Sequence, residues 1–270
     1  MSFNINSKPS PDFCDSKAVG EFFAENGYYL AKGVFNPEEI SLLENDFDRI
    51  VSQMQNSGEN INARWDGEAM KKIDGGESVI FHTHNVQVYS SRWLKALMQP
   101  NFLAATTAIL GEDVILHHTK LFQKPSENGS PFPMHQDWTY FPSVKDTMIA
   151  GVVHVSDASD EMGCLRVYPG SHKLGRVEGT NGAVQSDLLD SYPIENSIPL
   201  EAKAGDVAFF HYFTLHGSYP NRSQQTRKTV LIQMHAGDDT IEERGLGHPY
   251  AKLVLNGWNS YATRKSANDI

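Results

Sequence analysis

From residue 113 onward the chain is written in short apolar runs rich in β-branched residues, each closed by a turn signal. Residues 114–122 (VILHHTKLF), 148–155 (MIAGVVHV), 207–210 (VAFF) and 229–234 (TVLIQM) read as strands. Lys124-Pro125, Pro169-Gly170 and Ala204-Gly205-Asp206 punctuate them. A second half of this texture predicts an antiparallel jelly-roll barrel with helices packed outside it, a fold that is mainly β with flanking helices.

The first third reads differently. Residues 16–26 carry Val19, Phe22 and Phe23 at helical spacing and end at Gly27, after which 28–31 looks like a short strand. A second helix begins at Asn36-Pro37-Glu38-Glu39, where a capping residue precedes proline at the first helical position. Its stripe of Ile40, Leu43, Phe47, Ile50 and Val51 runs to about Gln55. Residues 56–78 are polar and Gly-rich and read as a loop or lid, and a further helix over 101–110 stops at Gly111. Apolar residues make up 40% of the 270, enough for a sizeable core, so one domain is expected. In it a helical part (1–112) packs on the barrel (113–270).

The formal net charge of -10 argues against a general affinity for nucleic acid or anionic membranes. Two cysteines, Cys14 and Cys164, in a chain of this length read as reduced thiols. The polar N-terminus shows no secretory pattern, and no apolar run approaches the roughly 20 residues that span a bilayer. A cytoplasmic protein is the expectation, and nothing in the sequence sets an oligomeric state.

The chemistry concentrates in Pro133-Met134-His135-Gln136-Asp137-Trp138. On an extended strand, residues i and i+2 project to one face, so His135 and Asp137 can reach one metal ion. An imidazole and a carboxylate so placed form two corners of the facial triad used for iron(II). Of the remaining histidines, His216 is the best third corner. It closely follows the apolar run at Phe209-Phe210 and opens His216-Gly217-Ser218-Tyr219-Pro220-Asn221. Arg227, at the start of the next strand, can offer a bidentate fork to a carboxylate. A metal beside a carboxylate clamp is what a chelating 2-oxo diacid requires.

These stretches, with Gly163-Cys164-Leu165, Pro169-Gly170-Ser171-His172, Ala204-Gly205-Asp206 and Asn221-Arg222-Ser223, resemble the phytanoyl-CoA dioxygenase family of iron and 2-oxoglutarate oxygenases over roughly residues 113–235. The resemblance implies a double-stranded β-helix core and Fe(II) held by His135, Asp137 and His216. It implies Arg227 on the distal carboxylate of 2-oxoglutarate, with Ser218 as a hydroxyl partner. It also places a polar side chain for the other carboxylate near His118, where relatives often carry glutamine. Lys120, two residues on, shares that face and would touch 2-oxoglutarate or an anionic substrate. Three open iron positions would take 2-oxoglutarate and O2, giving succinate and carbon dioxide while a small molecule is hydroxylated. The presence of Asp137 favours hydroxylation, or a related desaturation, over halogenation.

Other residues carry weaker signals. His82-Thr83-His84 reads as a strand or loop near the pocket entrance, with His84 or Asn85 touching substrate rather than metal. Trp138 and Tyr140 either wall the substrate pocket or pack the barrel. His211 reads as structural, His172 as fixing a turn, and His154 as facing core or pocket. Arg166 and Arg222 are rival carboxylate partners. Two competing functions are a non-catalytic jelly-roll binding protein, which would lack a triad member or Arg227, and a cupin-type metalloenzyme that does not use 2-oxoglutarate.

Overall fold

A computed structural model describes residues 9–65, 70, 78–178, 190–243, 245 and 252–266. Helix α1 (Ser16–Asn26) begins where the Asp15 side chain accepts the Ala18 N–H and ends on Gly27, whose φ of 72° lies in the left-handed region. Glycine is required there twice over, because a Cβ would fall 2.3 Å from the His172 ring. Strand β1 (Tyr28–Ala31) follows directly. Helix α2 (Pro37–Asn56) opens on a complete capping box between Asn36 and Glu39. Its expected stripe is buried, and so is Asp46, which accepts from Ser90 Oγ at 2.6 Å and Arg92 at 3.0 Å.

Those two partners lie in a stretch where the sequence shows no periodicity. Strand β2 (Phe81–His84) runs into the short helices α3 (Val86–Tyr89) and α4 (Ser91–Ala96). Helix α5 (Pro100–Leu110) is capped by Gln99. Of the expected lid over 56–78, residues 66–69 and 71–77 lie outside the described residues; Asn62, before them, bridges to Phe81.

Two antiparallel sheets are built from the strands β3 (Val114–Lys124), β4 (Phe132–His135), β5 (Ile149–His154), β6 (Leu165–Val167), β7 (Ile198–Leu200), β8 (Val207–His211), β9 (His216–Ser218), β10 (Arg227–Ala236) and β11 (Val254–Asn256), of which β3, β5, β8 and β10 are the four apolar runs read from the sequence. The larger has the order β1-β8-β5-β10-β3-β11, with β2 also on β3; the smaller has β4-β9-β6-β7. Alternation divides their side chains between two layers. Tyr29, Val153, Phe209, Val230 and Ile232 point outward onto Val19, Phe47 and Phe102 of the helices. Tyr28, Ala150, Ala208 and Phe210 point inward onto Val167, Ile198 and Leu200 of the smaller sheet. The inner layer is closed by apolar contacts at one end and left open as a pocket at the other. Cys14 is exposed and Cys164 buried, both as free thiols. Among the described residues no helix is long and apolar enough to cross a membrane.

The loop before β5 is tied down by Asp239, which is 2% exposed. It accepts from Ser143 Oγ at 2.8 Å, the Lys145 N–H at 2.8 Å and Thr147 Oγ1 at 2.7 Å. Burial opposes its charge, but these bonds outweigh it and hold the carboxyl below its ordinary value. A depressed folded value means the stabilisation is present above the unfolded carboxyl range and fades as pH falls through the folded one. Asp239→Ala is therefore expected to cost about 3 kcal/mol at pH 7. In urea titrations the gap from wild type should narrow below about pH 4; a gap independent of pH contradicts the assignment.

Candidate metal centre and its pocket

Strands β4 and β9 are neighbours, and their register sets the Cα of His135 opposite that of His216. Two imidazoles distant in sequence thus share one edge of the smaller sheet, with ring centroids 4.1 Å apart. His135 is the last residue of its strand. Asp137 stands in the bend beyond it, not on the strand itself as the i, i+2 reading required. The Asp137 N–H donates to Tyr212 O at 2.9 Å, which ties the bend to the turn after β8. The Gln136 amide braces the same bend, donating to Phe213 O at 2.6 Å and Gly175 O at 3.0 Å.

The carboxylate nevertheless reaches both rings, with Oδ1 lying 3.4 Å from His135 Nε2 and 3.6 Å from His216 Nε2. Both separations exceed a good N–H···O bond of about 2.7–3.2 Å. The tautomers explain why. Nδ1 of His135 donates to Pro133 O at 2.8 Å and Nδ1 of His216 to Thr214 O at 2.9 Å. Each Nε2 then presents a lone pair toward the carboxylate, so three acceptors converge with no proton between them. The three ligand atoms lie within 4.8 Å of one another. Burial, and after it the His135 ring, lowers His216 to about 4 and keeps it neutral. Burial works against the Asp137 charge, yet His216, His135 and Lys120 outweigh it, so the carboxyl stays ionised. Two neutral imidazoles and one carboxylate fit a divalent cation.

A cavity of about 360 Å³ opens beside the three ligands, within the size range of small-molecule sites. Alternate residues of the larger sheet form its wall: His118, Lys120 and Phe122 from β3, and Arg227, Thr229, Leu231 and Gln233 from β10. His118 and Lys120 share the face expected of them. Burial draws Lys120 down to about 8, with Asp137 partly offsetting it. His84 and Tyr140 also line the cavity. Trp138 does not. The chain turns at 138–140 and leaves the period of two, so the indole packs with Phe141, Met148, Tyr212 and Phe213 and donates to Val177 O at 3.2 Å.

Arg227 is buried, and its guanidinium donates to Gly163 O. Burial lowers it to about 10, and among the described residues no carboxylate pairs with it. Beside it lies a residue the sequence reading took only for a turn signal. Lys124 is fully buried, and its ammonium donates to Ser218 Oγ at 2.6 Å and Tyr219 O at 2.9 Å. Burial first, then the Arg227 charge, pushes it well below the usual lysine value. Because an ammonium only donates, the Ser218 oxygen accepts there, and its own proton is left for the cavity it lines. Two buried cations and a hydroxyl without a carboxylate form a site for an anion.

Of two more pocket walls, the first escaped the sequence reading and the second was left there between core and pocket. Trp65, from the polar 56–78 segment, sets its ring edge-on to His135 at 4.6 Å. His154 faces the pocket, both ring nitrogens without a partner among the described residues, and burial lowers it to about 3. His211 is structural as expected, bonded to Asp146 O at 2.9 Å. His172 reaches Ala24 O at 3.1 Å. Arg166 pairs with Asp160 at 2.6 Å and Arg222 is exposed, so neither competes with Arg227.

The sequence profile of the phytanoyl-CoA dioxygenase family matches residues 23–229. The chain belongs to this family. A probable alpha-ketoglutarate-dependent hypophosphite dioxygenase of Stutzerimonas stutzeri is 25% identical over 87% of the chain and 84% of its own length. The peroxisomal phytanoyl-CoA dioxygenase of Homo sapiens is 25% identical over 81% of the chain and 68% of its own length. In fold, the chain is similar to a non-heme alpha ketoglutarate dependent carbocyclase of nogalamycin biosynthesis. That likeness has a TM-score of 0.71 and 19% identity, over 88% of this chain and 91% of the other. The jelly-roll of the phytanoyl-CoA dioxygenase family is thus the fold on which His135, Asp137 and His216 meet.

Proposed function

We propose that this member of the phytanoyl-CoA dioxygenase family is an iron(II)- and 2-oxoglutarate-dependent dioxygenase that hydroxylates a small molecule. The observation that carries the reading is the convergence of two Nε2 lone pairs and one ionised carboxylate beside a cavity also lined by Arg227, which among the described residues pairs with no carboxylate. His135, Asp137 and His216 would hold the iron. When bound with 2-oxoglutarate and dioxygen, it supplies an oxidative decarboxylation that gives succinate and carbon dioxide and leaves one oxygen atom for a C–H bond.

The rest is the work of the protein's own groups. Arg227 offers its fork to the distal carboxylate, and Ser218 adds the proton that Lys124 leaves unused. The Nδ1–H bonds to Pro133 and Thr214 fix both imidazole tautomers, so neither ring needs to lose a proton to ligate. Trp65, Phe122, Phe132 and Phe141 line the cavity and keep bulk water from it. Asp137 occupies the coordination place that a halide would need, which favours hydroxylation over halogenation.

Succinate release under air with iron(II), ascorbate and 2-oxoglutarate tests the reading, together with the visible charge-transfer band of the anaerobic mixture. Both signals are expected, and the absence of both from folded protein overturns it. Lys124→Met is expected to raise the half-saturating 2-oxoglutarate concentration about two- to tenfold, because Ser218 loses its fixed orientation. The fold should survive, since an apolar side chain of similar volume often replaces a buried charge without loss. An unchanged cosubstrate requirement would remove Lys124 from the clamp.

A further inference from the structure

The cavity wall carries a second polar stripe beyond Arg227, Ser218 and Lys124, one in which the sequence left Lys120 between 2-oxoglutarate and an anionic substrate. Register aligns it across three strands: His84 of β2 stands opposite Lys120 of β3, and His118 of β3 opposite Gln233 of β10. Among the described residues Lys120 Nζ meets no carboxylate at bonding distance, and its recorded contact is the face of the Phe122 ring at 4.9 Å. Gln233 is fully buried, and among the described residues its side-chain oxygen and nitrogen both lack partners. A cation that meets no carboxylate and a buried amide without a partner among the described residues, both facing one cavity, point to a ligand that satisfies them.

Position and charge separate this stripe from the cosubstrate clamp. Lys120 pairs in register with Leu231, four residues along β10 from Arg227, or roughly 13 Å of strand. A diacid anchored at Arg227 and chelated at the triad has both carboxylates committed. In charge, the diacid matches the divalent ion, and Asp137 offsets one of the three buried cations Lys120, Lys124 and Arg227. Two positive charges remain, and Lys124 is already bonded to Ser218 and Tyr219. The opposite lining is aromatic, with Trp65, Phe132 and Tyr140.

Taking the triad as an oxygenase site, we propose that the molecule oxidised here has an apolar body and one oxyanion group, a carboxylate or phosphonate. Lys120 and Gln233 grip that group. The aromatic wall takes the body and turns its C–H bonds toward His135, Asp137 and His216.

Three probes with the same hydrocarbon body test this: hexanoate, hexylphosphonate and 1-hexanol. Each is titrated by calorimetry into anaerobic protein with iron(II) and excess 2-oxoglutarate, and 2-oxoglutarate is titrated separately. At least one anionic probe should bind about tenfold or more tightly than hexanol. Lys120→Met should abolish that preference while leaving 2-oxoglutarate affinity within about twofold. Equal binding of the three probes, including no binding by any, overturns the proposal. So does a Lys120→Met variant that loses 2-oxoglutarate affinity and keeps the anion preference. If 2-oxoglutarate fails to bind while the Lys120-dependent preference persists, the oxyanion grip stands and the cosubstrate reading falls.

Discussion

Asp137→Ala is expected to lose iron-dependent succinate formation by at least about a hundredfold while the protein stays folded. Changes outside the ligand sphere already cost metal sites about 10–100-fold in affinity or activity, and Asp137 is the single anionic ligand. Its loss leaves two neutral imidazoles, which offer a divalent ion no charge compensation. The fold should survive. Asp137 is 8% exposed, and its carboxylate spends its contacts on two histidines at 3.4 and 3.6 Å. The bend is held by the Asp137 backbone N–H and the Gln136 amide, which alanine leaves in place. Its neighbours outweigh the burial of that charge, so alanine gives up some stability at neutral pH but leaves the strands and the bend intact. Iron-dependent stabilisation in a thermal scan should also vanish, since a ligand stabilises only the state that binds it. Retained turnover, or a collapse of the fold in this variant, would each contradict the account.

Arg227→Ala should raise the 2-oxoglutarate concentration for half-maximal rate about 10- to 150-fold while leaving kcat within a few-fold at saturation. A hydrogen bond to a charged group contributes about 1.5–3 kcal/mol, and 1.4 kcal/mol is a factor of ten. The split between the two constants follows from position. Arg227 stands at the start of β10 while the triad belongs to the smaller sheet, so the clamp sets occupancy more than chemistry. Arg227→Lys keeps the charge but loses the planar fork, and an intermediate value is expected. An unchanged half-saturating concentration in both variants would move the cosubstrate carboxylate elsewhere.

Where local chemistry decides structure, the chain was readable in advance. The Asn36–Glu39 box and the αL Gly27 set helix ends found where expected. Strands β3, β5, β8 and β10 betray themselves by apolar runs between turn signals, and with them the jelly-roll. His135 and Asp137 were legible from spacing, although the carboxylate reaches the rings from a bend. His216 was chosen from its place just after the Phe209-Phe210 run, and the pairing of β4 with β9 is what sets it opposite His135. The failures share a cause. Helices α3 and α4 are too short for periodicity, and Asn85 at φ 59° turns the chain into them without a glycine to mark it. Lys124 is followed by proline and reads as punctuation; its complete burial depends on Ser218 and Tyr219, far away in sequence. Trp65 sits in a polar stretch that no hydrophobic pattern marks. Trp138 was left between pocket wall and barrel packing, because a residue just past a strand end has no period to place it.

One irregularity of the larger sheet reaches beyond its immediate neighbours. Between Gln233 and Met234 the register of β10 on β3 slips, so that Leu116 and His118 face consecutive partners and His117 is the extra residue. Leu121 packs outward on the helices before the slip, and Leu116 and Val114 do so after it. The single inserted histidine therefore switches odd and even along one strand. Residues 118, 120 and 122 answer to the cavity alone, while the hydrophobic partners of the helices are supplied by the opposite parity. A lineage can rewrite those three positions for a new ligand without renegotiating the scaffold behind them, and a one-residue deletion there would exchange the two sets.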